Sequence, residues 1–306
     1  MSQSSRLPGS LSYKERTYPF SRLLGRGGSG SVGLYGSASL GFLVLKMSYC
    51  GHPDAEALAT AEASNALSIA QSGPCSPKTT RGPTTGAELL RPPLATSFRQ
   101  GCAYAIYEYV PDNLSEWLRR KKRRTPDEVT SLFIQLLGIL LCLKSKGFYY
   151  NDVKPSNLLV SDTGAGLRIE IGDLGGVDRI GDANITITKA RVPPSIVADL
   201  GWDRIDVLAS FLLGELTLQL LLRAPTAGER HPMDKFLACL QAQSAEACTE
   251  RLCSELRENL ADGLSLEDPA VHDLAAIALN LLGYKGLYVP FDRVPELPST
   301  LFTPAR

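Results

Sequence analysis

The sequence predicts an α+β protein in which a small β-rich N-terminal unit precedes a larger helical one. Three observations carry this reading. From Phe20 to Met47 glycines alternate with short Val/Leu/Tyr runs, the pattern of hairpin strands. Thr130 to Lys146 holds Leu132, Phe133, Leu136, Leu137, Leu140, Leu141 and Leu143, a dense helical apolar face. From Asp206 to Gly283 helical patterns dominate. Length agrees, since 306 residues at roughly 150 per domain allow about two packing units.

Taken in order, residues 1–17 are polar and expected to be poorly ordered. Asp54 to Ala70 is alanine-rich, with Leu58 and Leu67 as its leucines and Asp54 as the expected helix N-cap. Gln71 to Gly86 is dense in Gly, Pro, Ser and Thr and reads as a long surface loop. Cys102 to Val110 is strand-like, and after Pro111 the character changes to helical. Leu158–Val160 and Leu167–Ile171 read as two short strands around a turn. Leu132–Leu143 is too short to span a bilayer, and Val207–Leu222 carries Glu215, so both are expected to be buried helices.

Hydrophobic residues make up 44% of the chain and charged residues 21%, which supports a sizeable core and excludes wholesale disorder. Lys plus Arg equals Asp plus Glu at 32, so nothing global draws the chain to nucleic acid or an anionic membrane. Neither partner is expected. The seven cysteines (50, 75, 102, 142, 239, 248, 253) contain no C-x-x-C pair and are expected to be reduced thiols. His52, His231 and His272 lie far apart, which argues against a His-based metal site. The N-terminus lacks the apolar run of a secretory signal, so a cytoplasmic or nuclear protein is expected.

Four short segments carry the chemistry. Gly25-Arg-Gly27-Gly28-Ser-Gly30-Ser-Val32 places glycines where a strand turns into its partner, letting backbone N–H groups approach phosphates without a Cβ clash. Lys46 ends the apolar strand Leu43-Val44-Leu45 and would point its ammonium below the glycine turn. In Asn151-Asp152-Val153-Lys154-Pro155-Ser156-Asn157 a carboxylate is followed by a lysine two places on and an Asn five places on. That set suits a base, a phosphate clamp and a metal ligand. Asp173-Leu174-Gly175 puts a carboxylate at a strand end, where it can hold a divalent cation.

In this order the segments resemble the signature set of the protein kinase superfamily, from Phe20 to Pro298. The resemblance implies a two-lobed fold, with a flexible segment 1–17, a nucleotide-binding N-lobe 18–110 and a helical C-lobe 111–306. It implies ATP and Mg²⁺ as cofactors, with Gly25, Gly27, Gly30 and Val32 over the phosphates and Lys46 on the α- and β-phosphates. Glu62 would pair with Lys46, with Glu56 as the runner-up. Tyr107-Glu108-Tyr109-Val110 resembles the adenine-binding hinge, with Tyr107 limiting the back pocket, Glu108 and Val110 giving backbone groups, and Asp112 or Asn113 near the ribose. Asp152 resembles the catalytic base, Lys154 would neutralise the transferring phosphoryl group, and Asn157 and Asp173 would hold Mg²⁺. Lys154 with Pro-Ser-Asn is similar to the serine/threonine pattern, so the implied substrate is a protein Ser or Thr hydroxyl. Asp206 resembles the buried aspartate that braces the catalytic-loop backbone.

The sequence departs from the family pattern at three places. Tyr150-Asn151 replaces the usual His-Arg pair, Leu174 replaces phenylalanine, and Pro193-Pro194-Ser195 stands where A-P-E is usual. An active kinase and a nucleotide-binding or scaffolding pseudokinase are therefore both open. Arg119 to Arg124 is a run of six cations. It reads as a solvated helix end, a nuclear import signal or a docking patch for an acidic partner.

Overall fold

A computed structural model of the chain describes residues 7–27, 30–48, 50, 55–71, 90, 92–164, 166–181, 185, 187, 192–193, 196, 201, 204–225, 230–242, 245–283 and 289–296. The chain divides into two compact units, Met1–Ser72 with Leu90–Pro111, and Gly73–Leu89 with Asp112–Arg306.

The first unit is a six-stranded antiparallel sheet with one helix. Its strands are β1 (Ser10–Tyr13), β2 (Arg16–Arg26), β3 (Gly30–Ser37), β4 (Gly41–Ser48), β5 (Ala95–Arg99) and β6 (Cys102–Glu108), in the order β1-β2-β3-β4-β6-β5. Helix α1 (Ala55–Gln71) lies against β6. Of the segment 1–17 expected to be flexible, residues 1–6 lie outside the described residues, while β1 and the start of β2 order residues 10–17. Leu11 and Tyr18 enter a cluster with Tyr35, Leu43 and Leu45, so a polar-looking stretch is held by two alternating apolar anchors. Tyr35 is fully buried and donates to the Pro8 carbonyl at 2.9 Å, and burial pushes its phenol up to about 12.

Among the described side chains of α1, Ala66 and Ile69 are buried, whereas Leu67 is 49% exposed and not part of the core. Helical spacing places Leu67 on the opposite face from those two. Asp54, most of the loop Gln71–Gly86 and the side chains of Glu56 and Leu58 lie outside the described residues.

The second unit is helical, with short strands. It contains β7 (Asp112–Asn113), α2 (Leu114–Arg120), α3 (Pro126–Ser145), β8 (Phe148–Tyr150), β9 (Leu158–Asp162), β10 (Leu167–Ile171) and β11 (Val177–Arg179). Helices α4 (Ile205–Leu221), α5 (Pro232–Ala242), α6 (Ala245–Glu258) and α7 (Pro269–Leu281) follow. Thr125 and Glu128 form a capping box that starts α3, with Pro126 at the first helical position. By length and composition α3 could cross a membrane, longer than the stretch Leu132–Leu143 suggested, but most of it is buried within this unit. Helix α4 is buried along most of its length, from Leu208 through Leu218 on every face, and packs on α3 and α7. Gly214 allows the α7 crossing, since a Cβ there would meet the Ala278 carbonyl at 2.9 Å.

The cysteines depart from the expectation of reduced thiols. Cys50 is bonded to Cys102 and Cys239 to Cys248, and Cys142 is also disulfide-bonded. The first bond joins the chain just after β4 to the start of β6, neighbours in the sheet. Cys253 remains a free thiol. Sequence spacing gave no warning, because both partners of the first bond are brought together by strand pairing across a separation of 52 residues.

Candidate active site

In the first unit the glycine segment forms the β2–β3 turn. Gly25 pairs with Val32, and the Gly27 amide donates to the Gly30 carbonyl at 2.9 Å. At Gly30 a Cβ would collide with the Met47 carbonyl, so glycine is required by the approach of β4 itself. Gly28 and Ser29 lie outside the described residues.

Val32 pairs with Lys46 across β3 and β4. The Lys46 ammonium donates to Glu62 Oε2 at 2.9 Å and to Oε1 at 3.0 Å, and Tyr107 Oη donates to Glu62 Oε1 at 3.0 Å. Strand β4, helix α1 and strand β6 thus each contribute one side chain to one charge-assisted cluster. The Lys46 and Glu62 side chains are 26% and 13% exposed, so the pair is less screened than a surface bridge. Sequence spacing selected Glu62 over Glu56; the hydrogen bond from Tyr107 is an addition to that reading. Glu108 is exposed and ends β6 opposite Leu43, and Val110 follows it, half-buried.

In the second unit the catalytic-loop segment is built around Asp152. Its Oδ2 accepts from Lys154 Nζ at 2.7 Å and from Asn157 Nδ2 at 2.9 Å, and Asn157 Nδ2 also reaches the Asp152 carbonyl at 3.1 Å. A 3₁₀ turn over Pro155–Asn157 sets the spacing that lets Asn157 fold back. The Gly172 amide donates to the Asn157 carbonyl at 2.8 Å, which brings the end of β10, and with it Asp173, alongside the loop. Asp173 Oδ1 accepts from the Gly175 amide at 3.1 Å and caps the turn Leu174–Gly176. Leu174 is buried, as an apolar replacement for phenylalanine should be.

Gly176 was missed by the sequence reading. A Cβ there would sit 2.5 Å from Asp152 Cβ, so the turn after Asp173 rests directly on the Cβ and backbone of Asp152. The doubled glycine after Asp173 was the available signal.

Of the residues in place of the His-Arg pair, Asn151 has defined hydrogen-bond partners. Tyr150 and Asn151 are each 1% exposed. The Asn151 amide N–H donates to the Gly176 carbonyl at 2.8 Å, and its side-chain Nδ2 donates to Asp178 Oδ2 at 2.9 Å. Strands β8 and β11 pair here, so Asn151 fastens the start of the segment that follows Asp173, the activation segment by the kinase resemblance, to the catalytic loop. Among the polar atoms of described residues, Tyr150 Oη and Asn151 Oδ1 are both buried without a hydrogen-bond partner.

Asp206 corrects an expectation. Its side chain is 38% exposed, and it accepts from Lys144 Nζ and Tyr149 Oη, both at 2.7 Å. The brace toward the loop therefore runs through a tyrosine side chain three residues before Asp152. The phenol of Tyr149 reaches the carboxylate, and Lys144, which also binds Asp292 at 2.8 Å, holds it toward solvent. Burial and the bond to Asp206 push Tyr149 up to about 12. Burial opposes the Lys144 charge, but the two carboxylates outweigh it and raise its pKa.

Asp112 and Asn113 take structural roles. Arg120 grips Asp112 bidentately at 2.6 and 2.7 Å, and Asn113 Oδ1 caps α2 by accepting from the Glu116 amide. The basic run is also dispersed, contrary to a uniform solvated patch. Lys121 pairs with Glu128 at 2.8 Å. Arg124 is 1% exposed and donates to the carbonyls of Leu118, Lys121, Gln219, Leu220 and Leu222, so it staples α2 to the end of α4. Burial pushes its guanidinium down to about 10. Arg119, Lys122 and Arg123 are exposed. Pro194, Ser195, Thr186, Thr188, Lys189 and Arg191 lie outside the described residues.

Comparison with known proteins agrees with this assembly. The chain matches the protein kinase domain family over residues 95–260, more than half of its length, and it belongs to that family. It is similar to cyclin-dependent kinase 12 of Caenorhabditis elegans, 34% identical over 126 residues, covering 37% of this chain and 16% of that protein. It is also similar to the serine/threonine-protein kinase hippo of Drosophila melanogaster, 28% identical over 140 residues, 44% of this chain and 21% of that protein. A probable serine/threonine-protein kinase MRK1 homolog of Encephalitozoon cuniculi is 33% identical over 88 residues, 28% of this chain and 27% of that protein. The matched regions thus span about a quarter or less of these curated relatives.

Proposed function

We propose that the protein is an active kinase that transfers the γ-phosphoryl group of ATP to a serine or threonine hydroxyl of a protein substrate. The observation that carries this is the assembled loop, in which Lys154 and Asn157 both bond one oxygen of Asp152. That arrangement orients a carboxylate to accept the proton of an incoming hydroxyl while a lysine stands ready beside it. In this reading Lys154 neutralises charge on the transferring group and Lys46, fixed by Glu62, holds the α- and β-phosphates. The glycine turn covers the phosphates with backbone N–H groups, and the backbone of Glu108 and Val110 serves the adenine.

The donor set suits Mg²⁺, which prefers oxygen ligands and one or two carboxylates. Asp173 supplies a carboxylate, and Asn157 turns its NH₂ toward Asp152. That orientation assigns the amide oxygen to the opposite side. Those two residues would hold the ion, which supplies charge neutralisation between the phosphates.

Two features favour the alternative of a pseudokinase: the Tyr150-Asn151 replacement and the change from A-P-E to Pro193-Pro194-Ser195. Neither removes a charged group that phosphoryl transfer needs. The deciding experiment measures transfer from ATP and Mg²⁺ to a generic basic protein, with Asp152→Asn as control. Transfer by the wild type alone supports the kinase. Equal silence from both proteins, with nucleotide binding retained, assigns the pseudokinase role. The expected residence in the cytoplasm or nucleus is at odds with the bonds Cys50–Cys102 and Cys239–Cys248, since disulfides are rare in reducing compartments.

A further inference from the structure

Strand β6 places Ala103, Ala105 and Tyr107 on one face by simple alternation. The bond from Tyr107 to Glu62 shows that this face is turned toward α1. Across the sheet Lys46 pairs with Ala105 and Val44 with Tyr107, so the lysine and the tyrosine are diagonal neighbours on that face. Ala105, opposite Lys46, has only a methyl and leaves room over the lysine for a carboxylate descending from the helix.

The phenol oxygen is the part that packing does not explain. Tyr107 is buried, and a phenylalanine would fill almost the same space. What the tyrosine adds is one neutral donor, at 3.0 Å from Glu62 Oε1. That same oxygen accepts from Lys46 at 3.0 Å, while Oε2 accepts from Lys46 at 2.9 Å. A cation at position 107 would hold Glu62 as well, but it would compete for the carboxylate and repel Lys46. A phenol fixes the carboxylate and leaves the charge of Lys46 intact.

We infer that Tyr107 is a positioning residue for phosphate recognition, acting through Glu62 to hold Lys46 where the phosphates of a nucleotide meet it. A phosphate drawn to Lys46 competes with Glu62 for the ammonium. Glu62 is only 13% exposed, so an oxygen released there would be poorly met by water. The phenol keeps Oε1 bonded as the ammonium turns to the phosphate, which lowers the cost of that exchange. The inference rests on the phosphate role given to Lys46 in the kinase reading above. It adds a residue to that role and does not require that transfer follow binding.

The test measures binding to the full chain of two ligands, adenosine and the non-hydrolysable ATP analogue adenylyl imidodiphosphate with Mg²⁺. Tyr107→Phe should weaken the analogue about fivefold or more, the scale of one hydrogen bond to a charged group. Adenosine, which has no phosphate, should keep its affinity within about twofold. Comparing two ligands on one variant cancels any loss of folded protein. In a Lys46→Met background the further change Tyr107→Phe should alter analogue binding by less than about twofold, because the residue through which it acts is gone. Equal weakening of both ligands would assign Tyr107 to the general shape of the site and overturn the proposal. So would unchanged analogue binding by Tyr107→Phe, or the same loss with and without Lys46. Phosphoryl transfer is scored separately on the wild type. If transfer is absent while Tyr107→Phe still discriminates the two ligands, the kinase reading fails and the positioning role stands. If transfer is present and the two ligands weaken equally, the positioning role fails alone.

Discussion

Lys46 illustrates how much one residue's role depends on its neighbours. Its ammonium is held by both oxygens of Glu62, and Glu62 is held in turn by Tyr107. Lys46→Met should lower transfer by roughly a hundredfold or more, the scale of removing a preorganised charge from the transition state. The folded protein should lose only about 1–2 kcal/mol, because the Glu62 carboxylate left behind is still met by Tyr107 and partly by water. Near-wild-type kcat/KM in a folded Lys46→Met protein would remove Lys46 from the site. Tyr35 gives a second prediction, on pH. Its phenol titrates near 10 in the unfolded chain and near 12 when folded, so the unfolded state loses its proton first. Stability from this group is complete below pH 10 and is lost as pH rises through 12. Denaturant titrations of Tyr35→Phe should show a shallower loss of stability across pH 10–12 than the wild type. At neutral pH they should show a cost of about 1 kcal/mol for the missing bond to the Pro8 carbonyl.

At the scale of elements, two contacts separate catalytic from architectural roles. Gly176→Ala would press a methyl against Asp152 Cβ at 2.5 Å, whereas Gly172→Ala would meet the Leu159 side chain at 2.6 Å. The first displaces the loop carboxylate, so kcat should fall at least tenfold while melting changes little. The second is absorbed by a flexible leucine, so kcat should be affected less than stability. Equal kcat losses in the two variants would show that the Gly176 contact has no special hold on Asp152. Arg124 makes the architectural case. Arg124→Met strands up to five carbonyls of α2 and α4 without donors, and at about 1–3 kcal/mol for each group left buried and unsatisfied the loss should exceed about 3 kcal/mol. Urea unfolding of Arg119→Met, whose side chain is exposed, should differ from wild type by less than about 0.5 kcal/mol.

Across the whole molecule, what was legible in the sequence was local. The glycine turn, the strand lysine, the Asp152–Asn157 loop and Asp173 are short motifs whose spacing survives in a linear reading, and α3 and α4 announce themselves by density of leucines. What escaped depends on long-range neighbours: β1 needs Tyr35 and Leu43 to have a core, Cys50 needs Cys102 across the sheet, and Arg124 needs carbonyls about a hundred residues away. Asn151 belongs to both classes, because its identity was visible and its partner was not. In kinases switched by phosphorylation, an arginine before the catalytic aspartate pairs with the phosphate added to the activation segment. Here the neutral Asn151 is buried and donates to Asp178 and Gly176, tying the start of that segment to the loop without any phosphate. Activity should therefore not require phosphorylation of the segment. Phosphatase treatment of the purified protein should leave its rate within about threefold of the untreated sample. Asp178→Ala should lower the rate whether or not the protein is phosphorylated, because it removes the partner that holds the Asn151 amide. A loss of more than about tenfold on phosphatase treatment, roughly 1.4 kcal/mol of transition-state stabilisation, would show that an added phosphate, and not the Asn151–Asp178 bond, orders the segment.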